Sequence, residues 1–181
     1  MSNKLTTARN IGLVLALFLP TVALFPIRPS TQEKDGAGVV ASGTASAKDV
    51  GLPIYPGSRP HKDKVEDSSA ANLGLWGGGA GFKMAIVKME TSDSPEKVAS
   101  FYKKALSKYG NVLDCTKPSP GAANSDKDDS SKTLTCGDDK PEKGGMLYKA
   151  GTKEKQHIVG IQPTGQGTLY QLVHLGSWGN K

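Results

Sequence analysis

From Pro95 to Tyr109 the chain repeats apolar residues at steps of three, four and seven: Val98, Phe101, Tyr102, Ala105, Leu106 and Tyr109. That spacing lines one face of an α-helix and leaves a stripe that must be buried. Lys97, Lys104 and Lys108 fall on the other side. Asp93 or Ser94 can accept hydrogen bonds from the first-turn amides, Pro95 suits the first helical position, and Glu96 complements the dipole. Gly110 can end the helix in the left-handed conformation. A lone amphipathic helix needs something flat to pack on.

The rest of the chain supplies it. Residues 82–90 (FKMAIVKME), 111–115, 132–136, 146–150 (MLYKA), 157–161 (HIVGI) and 168–175 (TLYQLVHL) are strand-length runs rich in β-branched and aromatic residues. Gly, Pro or Asp clusters separate most of them. Residues 163–167 read as a hairpin loop, and Gly77-Gly78-Gly79-Ala80-Gly81 as another, after a short strand near Leu73 to Trp76. The order predicts an α+β domain over 51–181: an antiparallel sheet of five to six strands covered by one main helix. Residues 116–131 contain no large apolar side chain and predict a disordered, exposed loop.

Ahead of this domain, Ile11 to Phe25 carry no charge and follow Lys4 and Arg9. Basic residues before an apolar run mark an export signal, because the leader stays cytoplasmic while the run enters the bilayer. Counted to Ile27 the run is at the lower edge of what spans about 30 Å of hydrocarbon as a helix. No small-x-small cleavage site follows closely; Val39-Val40-Ala41 and Ala45-Ser46-Ala47 come late. Residues 1–28 are therefore expected to be a hydrophobic helix acting as an uncleaved anchor in the inner membrane, with a cleaved signal peptide and secretion as the alternative. Residues 29–50, rich in Ser, Thr, Gly and Ala, predict a flexible tether.

Export frames the two cysteines. In an oxidising compartment, Cys115 and Cys136 are expected to pair, and each ends a strand-length run, so the two runs should lie side by side. Neither C-x-x-C spacing nor two further soft ligands are present for redox or zinc chemistry.

Two motifs carry a resemblance. Leu52-Pro53-Ile54-Tyr55-Pro56-Gly57, followed by Thr91-x-Asp93-Ser94-Pro95-Glu96-Lys97-Val98-x-x-Phe101-Tyr102 and Leu106, resembles a family of small exported, uncharacterised bacterial domains over about residues 50–110. The resemblance implies an extracytoplasmic fold and carries no catalytic residue or substrate.

Chemistry-bearing motifs are sparse. The glycine run leads into a strand rather than a helix N-terminus, so it is a poor phosphate cradle. Asp126-Lys127-Asp128-Asp129-Ser130 begins like a calcium loop, but Ser131 stands where Gly is needed and Gly137 where Glu is needed; Asp138 and Asp139 leave weak divalent binding across the disulfide as a minor alternative. His157 and His174 could face each other across a hairpin, yet neither they nor His61 have an assignable third ligand. The expectation is no catalytic site, no metal and no cofactor. Trp76 and Trp178, in glycine-rich surroundings, are candidate interaction residues, as are Lys97, Lys104 and Lys108.

The chain bears 23 Lys and Arg against 17 Asp and Glu, a formal charge of +6. The predicted function is a noncatalytic extracytoplasmic domain, held to the membrane through residues 11–27, that binds a protein or an envelope polymer. The alternative is a basic domain that holds a polyanion, an envelope polymer or less favourably nucleic acid, through the helix lysines; an enzyme of unknown class is the least favoured reading.

Overall fold

The structure, a computed structural model, describes residues 36–64, 67–117 and 133–179. The apolar segment 11–27, the calcium-like start at Asp126 and the predicted loop beyond Lys117 lie outside the described residues. No described helix is long and apolar enough to cross a membrane.

Among the described residues, eight strands form one antiparallel sheet: β1 (Gly38–Ser42), β2 (Arg59–Pro60), β3 (Ala70–Gly77), β4 (Ala80–Thr91), β5 (Leu113–Asp114), β6 (Met146–Gly151), β7 (Lys155–Thr164) and β8 (Gly167–Trp178). Their order is β1-β3-β4-β8-β7-β6-β5, with β2 beside the far end of β4. The main helix, α2 (Pro95–Leu106), leaves β4 and crosses the sheet to β5 at the far edge. The α+β class is as expected, with more strands than the five to six predicted.

Two differences have clear causes. Residues 38–42 and 47–50, expected within the tether, form β1 and the short helix α1 (Ala47–Val50). Val39-Val40 gives β1 its extended preference, β3 offers a free edge to pair with, and Val50 is buried in the core. Residues 133–136 form no strand, so the run ending at Cys136 does not pair with β5; β6 does. The disulfide nevertheless joins Cys115 to Cys136, with Cα atoms 5.5 Å apart. Leu134 is buried beside it, and Lys149 of β6 binds the Thr135 carbonyl at 3.1 Å and the Asp139 carboxylate at 2.7 Å. Side-chain contacts hold this segment, which is why its apolar pattern resembled a strand.

Strand alternation puts Ala85, Val87 and Met89 of β4, Tyr170 and Leu172 of β8, Val159 and Ile161 of β7 and Tyr148 and Ala150 of β6 on one face. Here α2 lays Val98, Tyr102, Ala105 and Leu106, and all are core residues. Tyr102 and Tyr170, ring centroids 5.3 Å apart, also grip the chain that enters the domain. The Tyr55 amide donates to both hydroxyls at 3.1 and 3.2 Å, and the Tyr102 hydroxyl donates to the Pro53 carbonyl at 3.1 Å. Tyr55 packs edge-on against Phe101. The Leu-Pro-Ile-Tyr-Pro-Gly motif and the Phe-Tyr pair of the helix are thus two halves of one contact.

The helix ends differ from expectation in detail. Ser94 is the N-cap residue but makes no side-chain cap bond. Asp93 turns away to accept from the Tyr55 hydroxyl at 2.8 Å and from Lys97 at 3.0 Å, which holds its carboxyl below the usual range. At the other end a 3-10 turn, Ser107–Tyr109, precedes Gly110, whose φ of +121° lies outside the left-handed helical region proper. The glycine run between β3 and β4 makes a hairpin: Gly78 and Gly79 both have positive φ (57° and 79°) between paired Gly77 and Ala80, as a two-residue primed turn requires.

Candidate functional site

Beyond the end of α2 the inward positions of the strands change character. His157 of β7 sits opposite Ala150 on one side and His174 of β8 on the other, and His174 sits opposite Ala85. The small alanines leave room for rings. Tyr109 stacks on His157 with centroids 3.6 Å apart, and His157 stacks on His174 at 4.6 Å with planes parallel to within 1°.

Both imidazoles are oriented by α1. Nδ1 of His157 donates to the Val50 carbonyl at 3.0 Å, and Nδ1 of His174 to the Asp49 carbonyl at 3.2 Å. A carbonyl can only accept, so each Nδ1 carries the proton and each neutral ring keeps its lone pair on Nε2. The Tyr109 hydroxyl donates to the next carbonyl, Gly51. Three rings therefore satisfy three successive carbonyls at the end of α1. Burial pushes the His157 pKa down; the Val50 carbonyl opposes this, and the facing His174 adds to it.

The next row along the sheet is Lys83, Gly176 and Lys155, with the lysines on either side of the glycine. With no side chain at Gly176, a groove of about 670 Å³ opens there, flanked by Lys83, Lys155 and Trp178, with Tyr109 and the two histidines along one wall. Cations, an indole and hydrogen-bonding rings around a hollow suit a ligand that has a flat or ring-shaped part and acceptor groups.

One row further lie Gly38, Trp76, Gly81 and Trp178, paired in that order across β1, β3, β4 and β8. The Trp76 indole occupies the space a side chain would need at Gly38, and Trp178 does the same over Gly81. The tryptophans remain 42% and 53% exposed. Gly81 is thus a strand residue roofed by an indole, although in the sequence it belongs to a turn-like run. The pattern Gly opposite Trp was available in the sequence, but the register that reveals it was not.

The structure separates the other predicted site residues. Lys97, Lys104 and Lys108 are exposed on the outer side of α2 and the turn after it, away from the strand face the helix covers. Lys97 pairs with Asp93, while Lys103 lies over the Tyr148 ring at 4.6 Å, 3.8 Å from Asp114. His61 lies at the other end of β4, bonded to Glu90 at 2.6 Å, and Arg59 pairs with the same carboxylate. That arrangement, His61 first, holds the Glu90 carboxyl low. Asp139 is engaged by Lys149, and no group of three or more metal-binding side chains occurs among the described residues. Sequence reasoning missed Lys83, Lys155 and Tyr109 as partners of Trp178 and the histidines.

No protein-family model, no curated protein and no solved structure matches the chain. The functional reading therefore stands on the geometry.

Proposed function

We propose that the chain is a noncatalytic binding domain, exported and tethered to the membrane through residues 11–27, that takes an envelope component or partner protein in the groove between Trp178, Lys83, Lys155 and the histidine stack. The observation that carries the reading is the groove itself, where an exposed indole, two lysines and a glycine floor meet. Binding rather than catalysis is favoured because both cysteines are bridged, so neither supplies a thiolate nucleophile. An uncleaved anchor is favoured because the two late small-x-small sites fall in β1 and at the start of α1, so cutting at either would strip ordered backbone of β1 from the domain.

The resemblance to small exported domains agrees with this placement. The polyanion reading moves with the lysines: Lys83 and Lys155 flank the groove, whereas Lys97 is engaged by Asp93.

A photo-crosslinking residue at Thr152, exposed at the groove, should capture one envelope species from intact cells; the same probe at Ser100, exposed on α2, should not. Equal capture at both positions would overturn the assignment of the groove. Capture that weakens steeply with salt identifies a polyanion. A reporter fused after Lys181 should be active only when exported, and a mature N-terminus at Ser42 or Lys48 in a soluble fraction would overturn the anchor.

A further inference from the structure

Among the described residues, the large apolar side chains left most exposed are Val39 (69%), Val40 (54%), Leu75 (40%), Trp76 (42%) and Trp178 (53%). They all lie at one tip of the sheet. Register places Trp76 and Trp178 on the face that α2 covers further along, and Val39, Leu75 and Phe82 on the opposite face, so the tip is apolar on both sides. A surface hollow of about 440 Å³ between these strands is lined only by apolar residues and glycine.

The chain enters the domain at this same tip. The apolar run ends at Ile27, and ten residues separate it from Gly38, the first residue of β1, whose Cα lies beneath the Trp76 indole. Ten residues reach at most about 35 Å when fully extended. β4 runs from the tip to Thr91 at the opposite end of the sheet, itself a span of about 35–40 Å. An anchored domain therefore brings its apolar tip to the bilayer at any extension of the linker, whereas its Arg59–His61–Glu90 end reaches the surface only with the linker almost fully extended. Tryptophan with aliphatic neighbours and a nearby lysine, here Lys83 one row away, is the composition that settles at the headgroup level.

We propose that this tip is a second membrane contact: Trp76, Trp178, Val39, Val40 and Leu75 insert at the bilayer interface and hold the sheet end-on to the surface, with the groove facing the headgroups. The proposal rests on the anchored reading above and adds a contact made by the folded domain.

Trp76 and Trp178 are the two tryptophans of the chain, so their emission reports this tip directly. The experiment uses the full-length chain in vesicles of phosphatidylethanolamine and phosphatidylglycerol, with and without bromine on the upper acyl chain. Wild type should float with the vesicles, emit to the blue of its detergent-free water-exposed control, and be quenched by the brominated lipid. Trp76→Phe and Trp178→Phe should each leave a quenched tryptophan. The double variant Val39→Asp and Val40→Asp changes two exposed side chains; it should still float and melt cooperatively but lose the quenching. A wild-type chain that floats while its emission ignores bromine overturns the docking and leaves the anchor standing; the same holds if the tip binds a soluble partner instead. A chain that does not float overturns the anchor, and the docking with it.

Discussion

The sheet face under α2 and the continuation of that face beyond it are built by the same strands in the same register, yet they are different materials. Under the helix, β7 and β8 present Val159, Ile161, Tyr170 and Leu172, all at most 2% exposed. Two residues further along each strand the same inward positions hold His157 and His174, and β8 continues with Gly176 and Trp178. Alternation continues unbroken; the cover stops. Where a helix lies above, an inward position must be apolar and close-packed. Where none does, rings and glycines can leave a surface with shape and hydrogen-bonding capacity. Function, on this view, occupies the part of the sheet that the core does not need.

The comparison breaks first on stability. Leu172→Ala should cost about 2–5 kcal/mol, because the cavity opens among Val87, Val159 and α2. Trp178→Ala, although it removes far more atoms, should cost under about 1 kcal/mol, since half of the indole already faces solvent. Urea denaturation of both variants reads the difference. Equal losses would mean that the tip is core and that the division drawn here is false.

A second test concerns how β5 and β6 are held at the far edge. The bridge closes a loop over a sequence separation of 21 residues, for which chain entropy gives about 3 kcal/mol. Replacing both cysteines by serine should lower stability by about 2–4 kcal/mol and leave the protein cooperative, because α2 and the central strands keep their burial. Two free thiols in the unreduced, denatured protein would refute the pairing. The effect should not reach the groove, so ligand capture at Thr152 should survive it; loss of capture would couple the two regions.

Legibility in the sequence followed the same division. The helix stripe, the strands from 80 to 91 and from 146 to 178, and the glycine hairpin were readable because burial by a neighbour imposes a period. β1 was not, since Gly38–Ser42 is short, lies at an edge and is mostly exposed. The run before Cys136 misled for the opposite reason: Leu134 is buried and Lys149 is satisfied from that segment, with no strand involved. At the site, His157 and His174 could be suspected of facing each other. Tyr109 looked like one more residue of the helix stripe, and Lys83 and Lys155 like ordinary surface lysines. Their meeting at Gly176 depends on the pairing of three strands, which no local pattern encodes.

The smallest effect lies at the seam between the two regions, where His157 is the first ring past the helix-covered core. Burial lowers its pKa below the ordinary 6.5, with the Val50 carbonyl opposing the shift and His174 adding to it. The unfolded chain therefore binds more protons than the folded one as pH falls past 6.5, and stability must decline with acidification. The contribution is complete above the unfolded value and disappears progressively as pH drops toward the folded one. The carboxyls held low, Asp49, Asp63, Glu90, Asp93 and Asp114, act in a separate window below their own ordinary values near 4. A scan of melting temperature from about pH 8 to about pH 5.5 isolates the imidazole from them. His157→Asn keeps a side-chain N–H that can donate to Val50 and removes the titration, so its melting temperature should fall less over that range than that of wild type. Parallel slopes would show that His157 is already open to water and protonates freely, and the seam would then belong to the exposed tip rather than to the core.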